Sequence, residues 1–185
     1  MPVSKQMLAD ALRRLVRKNS LDKISVDRII SEAQVSRQTF YKLFPDKYAL
    51  AFWVYLQDIQ PALEEYESSK DYDAMNSLIL RQMRKERLFY RNLFKNPDSP
   101  GSFHSRLHNF SVDNTLEMIG HSYASPQLEK LVGIWRCGTE QLISRWLQGG
   151  AKEEAGWMAD VIKRSMPSEL RALLYFSPGQ SRGQL

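Results

Sequence analysis

The stretch Ser25 to Lys47, SVDRIISEAQVSRQTFYKLFPDK, constrains this chain more than any other. Ser25 is placed to cap a helix, its hydroxyl accepting from a backbone N–H that has no partner within the helix, and Val26, Ile29, Ile30 and Ala33 then fall on one apolar side. Gln34 and Val35 leave room only for a short turn. Ser36 caps a second segment in which Phe40, Leu43 and Phe44 face inward and Arg37, Gln38, Thr39, Tyr41 and Lys42 face outward, until Pro45 stops it. Two short helices across a tight turn, with an outer face of hydrogen-bonding and cationic side chains, are what reading the major groove of double-stranded DNA requires.

The charge distribution points the same way. Residues 1–50 hold ten Lys/Arg and five Asp/Glu and so carry the whole net charge of +5, while the other 135 residues balance at 16 basic and 16 acidic. A cationic end attracts polyanions and releases their counterions on contact. Cys137 is the single cysteine, which excludes an internal disulfide and a cysteine-based zinc site and fits a reducing cytoplasm. Met7 to Val16 is broken by Asp10, Arg13 and Arg14, so no signal sequence is expected, and no run of about 18 uncharged apolar residues suggests a membrane partner.

Taken in order, apolar spacing predicts a helix over residues 4–18, the helix-turn-helix, and a helix starting at Asp46 that carries Leu50, Trp53, Leu56 and Ile59 towards Pro61, where a kink or restart is expected. Further helical stretches cover Tyr72 to Arg84, Leu88 to Phe94, Phe103 to His121, Pro126 to Gln148, Ala155 to Met166 and a short piece after Pro167, with a Pro/Gly loop at 96–102. No strand pattern is found. The expectation is an all-α chain of about nine helices, divided into a helix-turn-helix domain (1–47), a helical body (48–176) and a flexible tail (177–185).

Arg37 and Gln38 are the side chains assigned to base edges, since a guanidinium pairs with guanine and a carboxamide with adenine. Thr39, Tyr41, Lys42 and Lys47 are assigned to phosphates; Lys5 on the first helix and Ser36 at the opening of the second segment complete the DNA-contact set. Trp53, Phe89, Phe94, Phe103, His104, Phe110 and Trp135 could line an apolar ligand pocket, although aromatic residues at helical spacing are more often plain core. The stripe Leu128, Leu131, Trp135, Leu142 and Trp146, with Met158 and Ile162 of the next helix, reads as a dimer interface or as an internal packing face; a two-fold dimer doubles the bases read. His104 and His108 stand four apart without a third ligand, so no metal is expected, and neither a catalytic constellation nor a cofactor motif is present in the sequence.

Ser25, Ile29, Val35, Ser36, Thr39, Phe40, Tyr41, Phe44, Pro45, Asp46, Lys47 and Leu50 follow in order a pattern that resembles the tetracycline-repressor (TetR) family of bacterial transcriptional regulators. Gln34 stands where that family usually has Gly, at a turn position favouring positive φ, and Gln38 also replaces a common Gly. The resemblance implies a homodimeric regulator, a repressor by the family's usual pattern and not an enzyme, that binds a palindromic operator and answers to an effector in its C-terminal domain. It assigns effector binding and dimerisation to the helical body (48–176). From Asp46 onward, DKYALAFWVYLQDI, FYRNLF and WLQGG are similar to regulators of dihydroxyacetone utilisation, which allows the effector to be a partner protein as well as a small molecule.

Overall fold

A computed structural model describes residues 3–95 and 102–176, and all regular structure among them is helical. Ten α-helices appear: α1 (Val3–Val16), α2 (Val26–Ala33), α3 (Arg37–Leu43), α4 (Lys47–Ser69), α5 (Tyr72–Lys85), α6 (Arg87–Leu93), α7 (Phe103–Ile119), α8 (Pro126–Gln148), α9 (Ala155–Arg164) and α10 (Ser168–Phe176). The all-α expectation therefore holds, with one helix more than the approximate count. Residues 96–101 of the expected Pro/Gly loop and the expected tail lie outside the described residues.

The helix starts follow from their caps. Ser25, Ser36, Asp46, Asp71, Ser102 and Ser125 each accept a hydrogen bond from the backbone N–H three residues on, satisfying a donor that the helix itself leaves open. The stop of α2 is equally local. Gln34 takes φ 54° and ψ 40°, with its N–H on the Ser31 carbonyl and the Val35 N–H on the Ile30 carbonyl, a closure that needs one left-handed residue. Pro61 does not end or restart its helix: α4 continues to Ser69, and Pro61 is exposed, so water can take the carbonyl that its missing N–H leaves unpaired.

One contiguous core joins both ends of the chain. Leu8, Leu12, Ile24, Ile29, Phe40 and Leu50 are fully buried where α1 packs on α2, α3 and α4. The body is built by α4 on α5 and α7, α5 on α9, α7 and α6 on α8, and α10 over α7 and α8. The domain boundary expected at residue 47 falls in the first turn of α4, a continuous helix that belongs to both regions.

Polar ties cross this junction. Arg13 of α1 donates to both carboxylate oxygens of Asp58 on α4, at 2.6 and 3.1 Å, and the Tyr90 hydroxyl of α6 donates to the same carboxylate at 2.6 Å. Burial, and then the neighbouring Asp58, hold the Tyr90 phenol well above its usual pKa, so it stays a donor. Asn92 of α6 donates to the Val16 and Arg17 carbonyls at the end of α1, and Arg17 pairs with Glu86 at 2.6 Å.

A second tie lies inside the N-terminal region. Lys47 donates to the carbonyls of Leu21, Asp22 and Ile24 at 2.9 to 3.0 Å, anchoring the start of α4 to the turn between α1 and α2. Desolvation lowers its pKa, with Asp22 opposing that shift. Tyr48 donates to Asp22 beside it.

Two outcomes follow from this packing. Gln34→Gly should stabilise the chain by about 1 kcal/mol, raising Tm by roughly 2 to 4 °C in a thermal melt, because glycine adopts the left-handed conformation without the Cβ penalty. Lys47→Ala should cost about 2 kcal/mol or more in denaturant unfolding, because the carbonyls lose a charged donor.

Candidate nucleic-acid interface

The α3 helix presents most of its outer face as the sequence predicts: Ser36, Arg37, Gln38, Tyr41 and Lys42 are exposed, Thr39 is half-buried, Phe40 is fully buried and Phe44 nearly so. Phe40 packs edge-on against Tyr41 and tilted against Phe44, which fixes the roll of α3 about its axis. Arg37 is held on both sides. Its guanidinium pairs with Asp27 of α2 at 2.6 Å and lies 5.8 Å from the centre of the Tyr41 ring. This salt bridge is exposed on both partners, and such pairs contribute about 0–1 kcal/mol, so Arg37 can exchange Asp27 for another acceptor at little cost.

The remaining expected DNA contacts divide by what already occupies them. Ser36 accepts from the Thr39 N–H at 3.1 Å and its hydroxyl shares a 2.8 Å hydrogen bond with the Thr39 hydroxyl, so both side chains take part in capping α3. Lys5 lies over Phe44 and Trp53, 5.6 and 5.7 Å from their ring centres, on the flank of α3. Lys42 has no ion pair or side-chain hydrogen bond among the described residues. Lys47 is committed to its three carbonyls, as described above.

Sequence reasoning missed the element that ties α3 to the body. One oxygen of Asp46 caps α4, accepting from the Ala49 N–H at 2.6 Å, and the other accepts from Arg106 of α7 at 2.7 Å. The residue that follows the recognition segment is thereby fastened to a body helix sixty positions away in the chain. Asp46 was readable as a cap, but nothing in local spacing marks Arg106 as its partner.

The expected pocket is largely redistributed. An interior space of 60 Å³ lies between α4, α5, α7, α8 and α9, bounded by Tyr55, Leu80, Met83, Leu107 and Ile143 on its apolar side. Of the predicted set, Phe94 lines it. Trp53 stands instead against Phe44, Phe89 packs under Arg13, and Phe110 packs on Phe52; Phe103 lies between Tyr55 and Phe94, with His104 against the Phe94 and Phe103 rings. Trp135 donates to Ser165. These aromatic residues hold helices together, the core reading left open by the sequence.

The polar end of the space was not foreseen. Glu140 accepts from Ser111 at 2.5 Å and meets His108 Nδ1 at 3.2 Å, and Arg136 donates twice to Thr115 at 2.6 and 2.8 Å. Desolvation raises the Glu140 pKa, opposed by Ser111, His108 and Arg136, and burial drives the Tyr55 phenol above its usual range. Among the described residues no group of three His, Cys, Asp or Glu side chains could hold a metal ion.

The expected dimer stripe also needs correction. Leu128, Trp135, Trp146, Met158 and Ile162 are buried inside this single chain, and Leu131 and Leu142 are half-buried, so the regular leucine and tryptophan spacing marks the inward face of α8. The outward face carries Lys130, Ile134, Cys137, Gly138, Gln141 and Arg145, with Trp157 exposed on neighbouring α9.

Comparison with known proteins agrees with this geometry. Residues 8–52 match the family model described as "Bacterial regulatory proteins, tetR family". Over 92 residues the chain is 26% identical to the HTH-type dhaKLM operon transcriptional activator DhaS of Lactococcus lactis subsp. lactis (strain IL1403), an alignment spanning 50% of this chain and 49% of the relative, about half the length of each. The solved structure of a dihydroxyacetone kinase operon activator DhaS superposes with a TM-score of 0.58 at 15% identity, covering 92% of this chain and 98% of that one. A tetR-family transcriptional regulator from Streptomyces coelicolor gives 0.57 at 17% identity, covering 94% and 88%. The family match contains α2, the turn and α3, so residues 8–52 carry the DNA-binding region of the tetR family of bacterial regulatory proteins, and the helical body shares the fold of these regulators.

Proposed function

We propose that this chain is a TetR-family regulator that binds its operator as a homodimer, reading base edges with α3 and taking its regulatory input in the helical body. The observation that carries this reading is α3: a capped, rolled helix whose exposed Arg37, Gln38, Tyr41 and Lys42 are joined through Asp46 and Arg106 to α7. Arg37 and Gln38 address bases, and Tyr41, Lys42 and Lys5 address phosphates, while Ser36 and Thr39 support that surface by capping it. Arg28, exposed beside Asp27 on α2, adds a cation that the sequence reading had not assigned. Repression, the direction first expected, has no observation in its favour; the DhaS relatives are named as activators, which supports activation. No helix among the described residues is long and apolar enough to cross a membrane, in keeping with work on cytoplasmic DNA.

The dimer forms through the outward face of α8 and α9. Ile134 is 72% exposed and Trp157 57%, beside the small Cys137 and Gly138. A Cβ added at Gly133 or Gly138 would meet nothing within 4 Å in this chain, so its own packing does not require glycine there, whereas close approach of a second α8 does. A second reading, in which the effector is a partner protein, is favoured by the interior space: its 60 Å³ is far below the roughly 300–1,000 Å³ of pockets for larger ligands.

Three substitutions test these assignments by different measurements. In binding to a selected palindrome, Arg37→Ala should cost about 1 to 3 kcal/mol and relax base preference at one position per half-site. Lys42→Ala should weaken all duplexes alike and reduce the salt slope by about one, whereas Lys47→Ala should leave the slope nearly unchanged once the protein is held folded; an equal slope change in both would return Lys47 to the phosphate contacts. Ile134→Glu should convert the dimer to monomer by light scattering and weaken palindrome binding more than half-site binding, and a dimer that persists would move the interface elsewhere.

A further inference from the structure

We propose that the cationic hollow at the elbow between α5 and α6 is a binding site for a small phosphate-bearing ligand, separate from the DNA-reading face. Arg81, Arg84 and Lys85 of α5, Arg87 of α6 and Lys152 of the α8–α9 connection border a hollow of 520 Å³. Among the described residues the rest of its lining is Gly150 and Ala151, and none of the lining residues carries a carboxylate. These cations gather in a part of the chain, residues 51–185, whose acidic and basic side chains balance overall.

The walls are fixed by backbone geometry. Arg84 Nε donates to the Ala151 carbonyl at 3.2 Å, pinning the connection to α5, and Arg84 also pairs with the exposed Glu154. The connection itself is closed tightly: Gly150 (φ 91°) and Ala151 (φ 52°) are both left-handed, and the Ala151 N–H bonds back to the Trp146 carbonyl. Arg81, Lys85, Arg87 and Lys152 are exposed and have no acidic partner among the described residues.

Like charges brought together repel, and here the chain supplies little to offset them. A ligand carrying two or more negative charges supplies the offset. Guanidinium forks match phosphate oxygens bidentately and the lysines act as point charges, while the scarcity of apolar lining disfavours a hydrophobic ligand. The volume lies within the roughly 300–1,000 Å³ of small-molecule sites, and a local cluster of cations on a shallow, open hollow suits a compact anion better than a duplex, which a long cationic stripe would follow. Glu86, between Lys85 and Arg87, holds Arg17 of α1, so a bound anion sits beside a tie to the DNA-binding end.

The test uses the full chain and inorganic pyrophosphate. In thermal-shift and calorimetric titrations at constant ionic strength, pyrophosphate should raise Tm saturably where sodium chloride does not. The Arg81→Gln/Arg87→Gln pair should weaken this binding about tenfold or more, and Lys152→Gln should weaken it less. Without pyrophosphate, the pair should raise Tm through relieved repulsion and leave duplex binding intact, which also shows that the variant folds. Lys42→Gln should leave pyrophosphate binding unchanged. The proposal is overturned by a wild-type response no larger than that to sodium chloride, by unaltered affinity in the pair, or by loss of pyrophosphate binding in Lys42→Gln. It is equally overturned if the pair loses duplex binding in pyrophosphate-free buffer, since the cluster would then be part of the DNA interface.

Discussion

The first turn of α4 is the constraint on which the rest of this structure depends. Asp46 closes the helix N-terminus with one oxygen and holds Arg106 of α7 with the other, while Lys47 is anchored on three carbonyls of the turn before α2. Removing either side chain would leave polar backbone groups unpaired in a half-buried position, and such losses are costly because the groups cannot recover full hydration. Two adjacent residues of opposite charge thus set how α4 begins and which body helix the N-terminal region touches.

The proposed function needs a path by which the body can prefer one placement of α3 over another, since an effector acts only through its differential affinity for two states. Two paths are visible. The Asp46–Arg106 pair connects α7 to the end of α3, and the Arg13–Asp58–Tyr90 group connects α1, α4 and α6. The second is the more buried: such pairs add little net stability but are expensive to break from one side, which makes them suited to holding a register. The polar group around Glu140 lies on α7 and α8, so a change there acts on the helix that carries Arg106.

The outward roles on α3 were legible because they depend on local periodicity. Once Phe40 and Phe44 are inside, Arg37, Gln38, Tyr41 and Lys42 have to be outside. The same periodicity misled on α8. An apolar stripe states that one face is buried, and it cannot state whether the covering atoms come from the same chain or from another; Trp135 and Trp146 are covered from within, leaving Ile134 and Cys137 on the surface. The contacts of Lys47 and Trp53 escaped local spacing for a related reason, as their partners, the 21–24 turn and Phe44, come close only after α1 to α4 pack.

By itself the sequence determined the helical class, the capped helix-turn-helix, the left-handed Gln34 turn and the charge asymmetry that sends polyanions to the N-terminal end. Each of these is set by residues within a few positions of one another, through capping, chirality and net charge. Only the tertiary structure decided that α4 runs unbroken past Pro61, that Asp46 answers to Arg106, and that five body cations border one hollow. Those outcomes depend on which distant helix faces are brought together to bury apolar surface, and local spacing carries no record of that choice.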